Sequence, residues 1–263
     1  MKLRALHMGY VDVDKGRVLT PGVDVGKTVE LPVPSYLIET DSGERVLIDT
    51  GMHEVHIDDP DHTFGDNREL ASSIAPRMGD EHRLGNQLGE LDLGVADIET
   101  LVNTHLHFDH CGQNHLFEAA SILVQRRCYE AAIAAGRTRE YFDVPGLSYG
   151  LLEGDCEIGE GISLLVTPGH APGHMSVLVQ RPCGPILLCG DAIPTLEVLE
   201  GEHWDAFEEP ETAAKSAERL VEVAKAEGAR MLFGHDSNQW KEVPHAHSQS
   251  HREVTEWGCR DGS

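Results

Sequence analysis

Apolar positions along the chain fall into two rhythms. Short runs rich in β-branched residues or alternating in polarity predict strands, and apolar residues repeating every three or four positions predict helices. In the first part, strands are expected at residues 3–9, 35–40, 45–48, 101–103 and 121–124, and helices at 68–75, 86–91 and 129–135. Beyond residue 150 the pattern predicts three further strands, at 162–166, 185–189 and 230–233. One clear helix spans 211–227, with Ala214, Ala217, Leu220, Val221 and Ala224 on one face. No Ser/Gly linker separates these two similar halves, which meet near residue 150. The expectation is one domain over residues 1–263, since 263 residues with 40% hydrophobic content can bury a full core.

The chemistry is concentrated where predicted strands end. Directly after the run 98–103 comes Thr104-His105-Leu106-His107-Phe108-Asp109-His110, which places three imidazoles and a carboxylate in six residues. In extended backbone His105 and His107 point the same way, while Asp109 and His110 turn off toward a second point if the strand gives way there to a loop and helix start. A single histidine among 16 is ordinarily a surface or core residue, but four ligand-type side chains in this window are not explained that way. Strand 162–166 is followed by Thr167-Pro168-Gly169-His170-Ala171-Pro172-Gly173-His174, strand 185–189 by Gly190-Asp191, and strand 230–233 by Gly234-His235-Asp236. Open α/β sheets place their sites at such strand ends. Imidazole with carboxylate and no thiolate suits an open catalytic Zn²⁺ site, and serves Fe, Mn or Co as well.

Together these segments identify the chain as similar to the metallo-β-lactamase superfamily over most of residues 28 to 240. Within it the chain resembles the N-acyl homoserine lactonases that quench bacterial quorum sensing. The likeness rests on Leu31-Pro32-Val33, residues 36–40, Leu47-Ile48-Asp49-Thr50-Gly51-Met52, residues 105–110, Ile122-Leu123-Val124-Gln125-Arg126, Glu153-Gly154-Asp155, residues 167–174 and Phe233-Gly234-His235-Asp236. The resemblance implies a four-layer αβ/βα sandwich with two metal ions per protomer in a cleft where the sheets meet. It implies that His105, His107 and His170 hold one ion, that Asp109, His110 and His235 hold the other, and that Asp191 bridges them. Asp49 would orient a ligand histidine, Asp109 and Asp191 would be catalytic, and Met52, Phe64 and Phe108 would contact an acyl chain. The lactonase pattern also carries a tyrosine after the bridging aspartate, whose phenol hydrogen-bonds the lactone. Here Pro194 stands in its place and has no donor, so His203, Trp204 and Tyr149 are candidate replacements.

Composition narrows the function further. Net charge is −24, from 45 acidic against 21 basic residues. Such a surface argues against nucleic acid, which needs a basic footprint, and favours a small neutral lactone over an anionic substrate. The alternatives are a hydrolase of thioesters or other lactones on the same fold, and a non-heme iron oxidoreductase. The thioester branch is expected to add basic residues, and the diiron flavoproteins carry Glu where His107 stands; a non-catalytic metal-binding relative is weakened by the complete ligand set. No long apolar run suggests a membrane span, and residues 1–7 lack the apolar stretch of a secretion signal, which predicts a cytoplasmic enzyme and leaves a homodimer open. Six scattered cysteines without a CxxC pair predict reduced thiols. Residues 53–78, with His53, His56 and His62, read as a solvated loop covering the substrate, and the histidines after Trp240 (His245, His247, His251) as surface.

Overall fold

The computed structural model describes residues 1–64 and 67–243. Its strands are β1 (Lys2–Asp14), β2 (Thr28–Glu39), β3 (Arg45–Ile48), β4 (Ile74–Arg77), β5 (Thr100–Val102), β6 (Ser121–Gln125), β7 (Ser148–Leu152), β8 (Cys156–Glu157), β9 (Ile162–Val166), β10 (Met175–Val179), β11 (Ile186–Gly190) and β12 (Arg230–Phe233). The α-helices are α1 (Lys15–Val18), α2 (Arg68–Ala71), α3 (Leu84–Gly89), α4 (Arg126–Ala135), α5 (Arg139–Phe142), α6 (Leu196–Glu200), α7 (Pro210–Glu227) and α8 (Ser237–Glu242). One sheet runs in the order β4-β1-β2-β3-β5-β6-β7 and the other in the order β12-β11-β10-β9-β8.

Period-two alternation explains how two sheets make four layers. Along β1, Leu3 and Ala5 face the space between the sheets, whereas Leu6 and Met8 face outward on the side of α3. In β11, Ile186 and Leu188 point into the same intersheet core while Leu187 and Cys189 pack on α7. Both faces of each sheet are therefore covered, which is why β10 is buried at every position and reads as a continuous apolar run. Helix α7 buries Ala213, Ser216, Ala217, Leu220 and Ala224, the i, i+3, i+4, i+7 stripe of a surface helix. The result is an αβ/βα sandwich.

Several boundaries differ from the sequence pattern. The expected helix at 68–75 is only α2, because the chain turns at Ser72-Ser73 and then pairs as β4 along the edge of β1, where Pro76 is tolerated. β1 continues through Asp14 instead of ending near Gly9, where its pairing with β2 shifts register. The stripe on α7 is centred one residue earlier than expected, on Ala213 in place of Ala214, and Val221 is exposed. Cys111, Cys128, Cys156 and Cys189 are free thiols, but Cys183 is disulfide-bonded, against the expectation of reduced thiols throughout. Among the described residues no helix is long and apolar enough to cross a membrane. The tail histidines His245, His247 and His251 lie outside the described residues.

Candidate metal centre

The candidate ligands sit where strands stop. Central β5 pairs in parallel with β3 and β6, so its carboxyl end is flanked on both sides, and the chain leaving it carries residues 103–110 as a loop with turns, not a helix start. His170 follows β9, Asp191 follows β11, and His235 follows β12. Gly169 is what lets the His170 loop sit against α7: with a φ of +132°, a Cβ there would come within 2.4 Å of the Ala213 backbone.

Two groups of side chains converge. His105, His107, His170 and Asp191 bring one ligand atom each within 4.8 Å of one another, and so do Asp109, His110 and His235. Asp191 faces both: its Oδ2 lies 3.1 Å from His170 Nε2, and its Oδ1 lies 3.0 Å from His235 Nε2 and 3.4 Å from His110 Nε2.

Hydrogen bonds on the far side of each ring fix which nitrogen faces inward. His110 Nδ1 donates to Asp49 Oδ2 at 2.8 Å, and His235 Nδ1 donates to the Pro32 carbonyl at 2.8 Å. Thr104 gives its hydroxyl proton to Asp49 Oδ2, so its oxygen accepts from His105 Nδ1 at 3.1 Å. All three rings therefore turn Nε2 toward the centre, the arrangement that outer partners impose on metal-binding histidines. Asp49 itself adopts a left-handed φ of +59° and also accepts the Thr104 N–H at 2.8 Å. His107 Nδ1 and His170 Nε2 lie 2.9 Å apart, a separation that needs a shared proton or a cation between two lone pairs.

These residues fit a pair of metal ions. His105 Nε2, His110 Nε2 and Asp191 Oδ1 are buried and make no hydrogen bond, and buried polar atoms left unpaired are costly. Burial pushes His105 and His170 well below the usual imidazole range, reinforced for His105 by His110 and His107, so both are neutral and free to ligate. At His110 burial works the same way but is outweighed by Asp191, Asp109 and Asp49, which hold it well above that range. Asp191 stays ionised because His235, His110 and His170 overcome its burial.

A cavity of about 290 Å³ opens on this centre. Its floor includes His107, Asp109, His170, Asp191 and His235, and its walls are largely apolar, with Val11, Val13, Leu31, Ile74, Phe108 and Phe207.

Residues 28–239 match the metallo-beta-lactamase superfamily. The chain is 40% identical over 244 residues to an N-acyl homoserine lactonase of Bacillus thuringiensis, covering 91% of this chain and 95% of that one. It belongs to the N-acyl homoserine lactonase family of metal-dependent hydrolases. A solved N-acyl homoserine lactone hydrolase, with the product N-hexanoyl-L-homoserine bound at its catalytic metal centre, superposes with a TM-score of 0.86 at 36% identity, covering 93% of this chain and 96% of that one. AidC, a dizinc quorum-quenching lactonase, shares the fold with a TM-score of 0.66 at 16% identity, covering 89% of this chain and 87% of that one.

Against the family pattern, some expected contacts fall elsewhere. Phe108 lines the cavity, but Met52 is wholly buried in the core, with its Cε beneath Gly9. Phe64 does not line it either; it packs edge-on behind Phe108 with ring centres 5.2 Å apart. None of the candidate replacements for the missing tyrosine reaches the cavity. The Tyr149 hydroxyl donates to the Phe142 carbonyl, Trp204 packs on Phe207 without lining the cavity, and His203 lies against Gly201. Pro194 does line the cavity and offers only ring carbon there, its carbonyl accepting from His235 N–H at 2.7 Å. The loop expected to be solvated is partly built in: His56 is buried, donating from Nδ1 to the Pro60 carbonyl and accepting from Thr63. Sequence reasoning missed the β1 wall residues Val11 and Val13, whose place in the cavity depends on the extra length of β1, and it assigned no role to His174.

Proposed function

We propose that this enzyme opens the lactone ring of N-acyl homoserine lactones using two Zn²⁺ ions. The observation that carries the reading is the cavity itself, a floor of converging ligands beneath apolar walls. That shape suits a small polar ring attached to an acyl tail, and the net charge of −24 favours a neutral substrate. The relatives' names support it. In this reading His105, His107 and His170 hold one ion, Asp109, His110 and His235 the other, and Asp191 lies between them. When bound, such a pair supplies a water acidified to a pKa of about 7 and polarises the carbonyl.

The chain's own residues do the rest. Asp109 reaches the cavity and lies 3.7 Å from His110 Nε2 and 3.8 Å from His235 Nε2, close enough to the floor to hand a proton to the departing ring oxygen. Asp49, Thr104 and Pro32 keep the ligand imidazoles in one tautomer. Val11, Val13 and Phe108 exclude water and hold the tail. The test is elemental analysis together with a pH-stat assay of zinc-replete enzyme on N-hexanoyl and N-decanoyl homoserine lactone, beside a thioester and a β-lactam. About two ions per chain and turnover of the lactones are expected. No turnover of either lactone would overturn the substrate assignment, and one ion or none in an active preparation would overturn the pair.

A further inference from the structure

Behind Asp191 lies a histidine that none of this chemistry uses. His174 is fully buried, at the far end of the loop that carries His170. It comes closer to Asp191 than sequence position suggests: the Asp191 backbone N–H donates to His174 Nε2 at 3.0 Å. On the other side of the ring, Nδ1 lies 2.9 Å from Thr167 Oγ1, which lies 2.9 Å from Ser176 Oγ, whose hydroxyl donates to the Cys189 carbonyl at 2.8 Å.

The proton directions along this chain are determined from its end. A carbonyl can only accept, so the Ser176 proton goes to Cys189, the Thr167 proton goes to Ser176, and Thr167 Oγ1 accepts from His174 Nδ1–H. The ring is therefore neutral with Nδ1 protonated, and its Nε2 lone pair receives the Asp191 N–H. The chain closes on itself, because Cys189 and Asp191 flank Gly190 in one strand end. Gly190 shows that this contact is built in: its φ is +54°, and a Cβ there would stand 2.9 Å from His174 Nε2.

We propose that His174 is a positioning residue for Asp191, clamping its peptide so that Oδ1 faces one ligand group and Oδ2 the other. The inference rests on the reading that Asp191 lies between two ions. His174 touches neither ion nor substrate; it acts through the Asp191 backbone. A hydrophobe in its place orphans a buried N–H and lets the carboxylate rotate.

The test compares His174→Leu with His174→Gln, whose side-chain oxygen can reach the position of Nε2 and accept the same N–H. Zinc affinity is measured by chelator competition, and the metal-free proteins are melted in parallel. In His174→Leu the weaker of the two zinc affinities should fall tenfold to a hundredfold, and in His174→Gln it should stay within about threefold of wild type. Wild-type affinity in the folded His174→Leu protein, with only the metal-free melting temperature lowered, would overturn the proposal. So would equal losses in the two variants. Failure of the wild type to bind two ions would instead strike the metal-pair reading. Should His174→Leu not fold, ¹⁵N spectra of the wild-type imidazoles decide: an Nδ1–H tautomer at His174 is expected, and an Nε2–H tautomer or an imidazolium overturns the clamp.

Discussion

Asp49 shows how much one side chain can organise at a turn. Its two oxygens accept from the Thr104 N–H, the Thr104 hydroxyl and His110 Nδ1, so it sets the ring orientations of His105 and His110 together. Asp49→Asn keeps the volume and tolerates the left-handed backbone but turns one acceptor into a donor facing donors. We expect zinc affinity to drop tenfold to a hundredfold, read by chelator competition, with the fold intact. Asp109→Ala, His107→Ala and Asp191→Ala should each cost several orders of magnitude in lactone hydrolysis; a His107→Ala enzyme that keeps its metal and most of its rate would contradict the site. Pro194→Tyr restores a phenol beside the floor, and its rate should equal or exceed wild type, since Pro194 supplies no hydrogen bond that the change removes. A fall in kcat with unchanged metal content would show that the proline shapes the cavity. Local crowding made the candidate ligands of 105–110 legible in the sequence. His174 was not legible because its bond runs to a backbone N–H 17 residues away, which no side-chain pattern records.

Strands were legible where turn and ligand residues marked their ends and obscure where nothing did. The β11 and β12 segments announced themselves by ending in Gly-Asp and Gly-His, whereas β10, buried throughout, carries no alternation to mark it. β8 is two residues long and pairs with β9, and Asp155 just before it accepts from the Val166 N–H of β9 and pairs with Arg219 of α7. Burial raises the Asp155 pKa, but the Arg219 and Val166 hydrogen bonds overcome this and leave it below the ordinary carboxylate value. A carboxyl depressed by folding stabilises above its unfolded pKa of about 3.9 and loses that contribution as pH falls through the folded value. Asp155→Asn should therefore lower stability by about 1 kcal/mol at pH 7, discounted for its partial exposure. The gap to wild type should narrow in urea titrations as pH is lowered from 7 to 3. A gap of the same size at pH 3 as at pH 7 would mean that the contribution is packing, not charge.

At the scale of the molecule, the centre joins what the core alone holds together from within. His105, His107, Asp109 and His110 descend from the seven-stranded sheet, while His170, Asp191 and His235 descend from the five-stranded one. In the proposed reading, ions bound between them would cross-link the two sheets at one edge, adding to the intersheet packing of residues such as Ile38, Val177 and Leu188. Without ions, the same edge gathers unpaired buried nitrogens and a buried carboxylate. A ligand present at a thousand times its dissociation constant stabilises the folded state by about 4 kcal/mol, and in a chain of this size each kcal/mol moves the melting temperature by about 2–4 °C. Stripping the metal with a chelator should therefore lower the melting temperature by roughly 10 °C, and zinc should restore it. Binding competes with protons at His110 and His235, whose carboxylate neighbours, Asp191 foremost, outweigh burial and raise their pKa. Protons thus compete with the metal, and the zinc-dependent gap in melting temperature should narrow as pH is lowered from 8 to 6. Calorimetry across that range checks both parts: a chelated protein that melts with the zinc-loaded one at pH 8 would show that the two sheets are not joined through this centre.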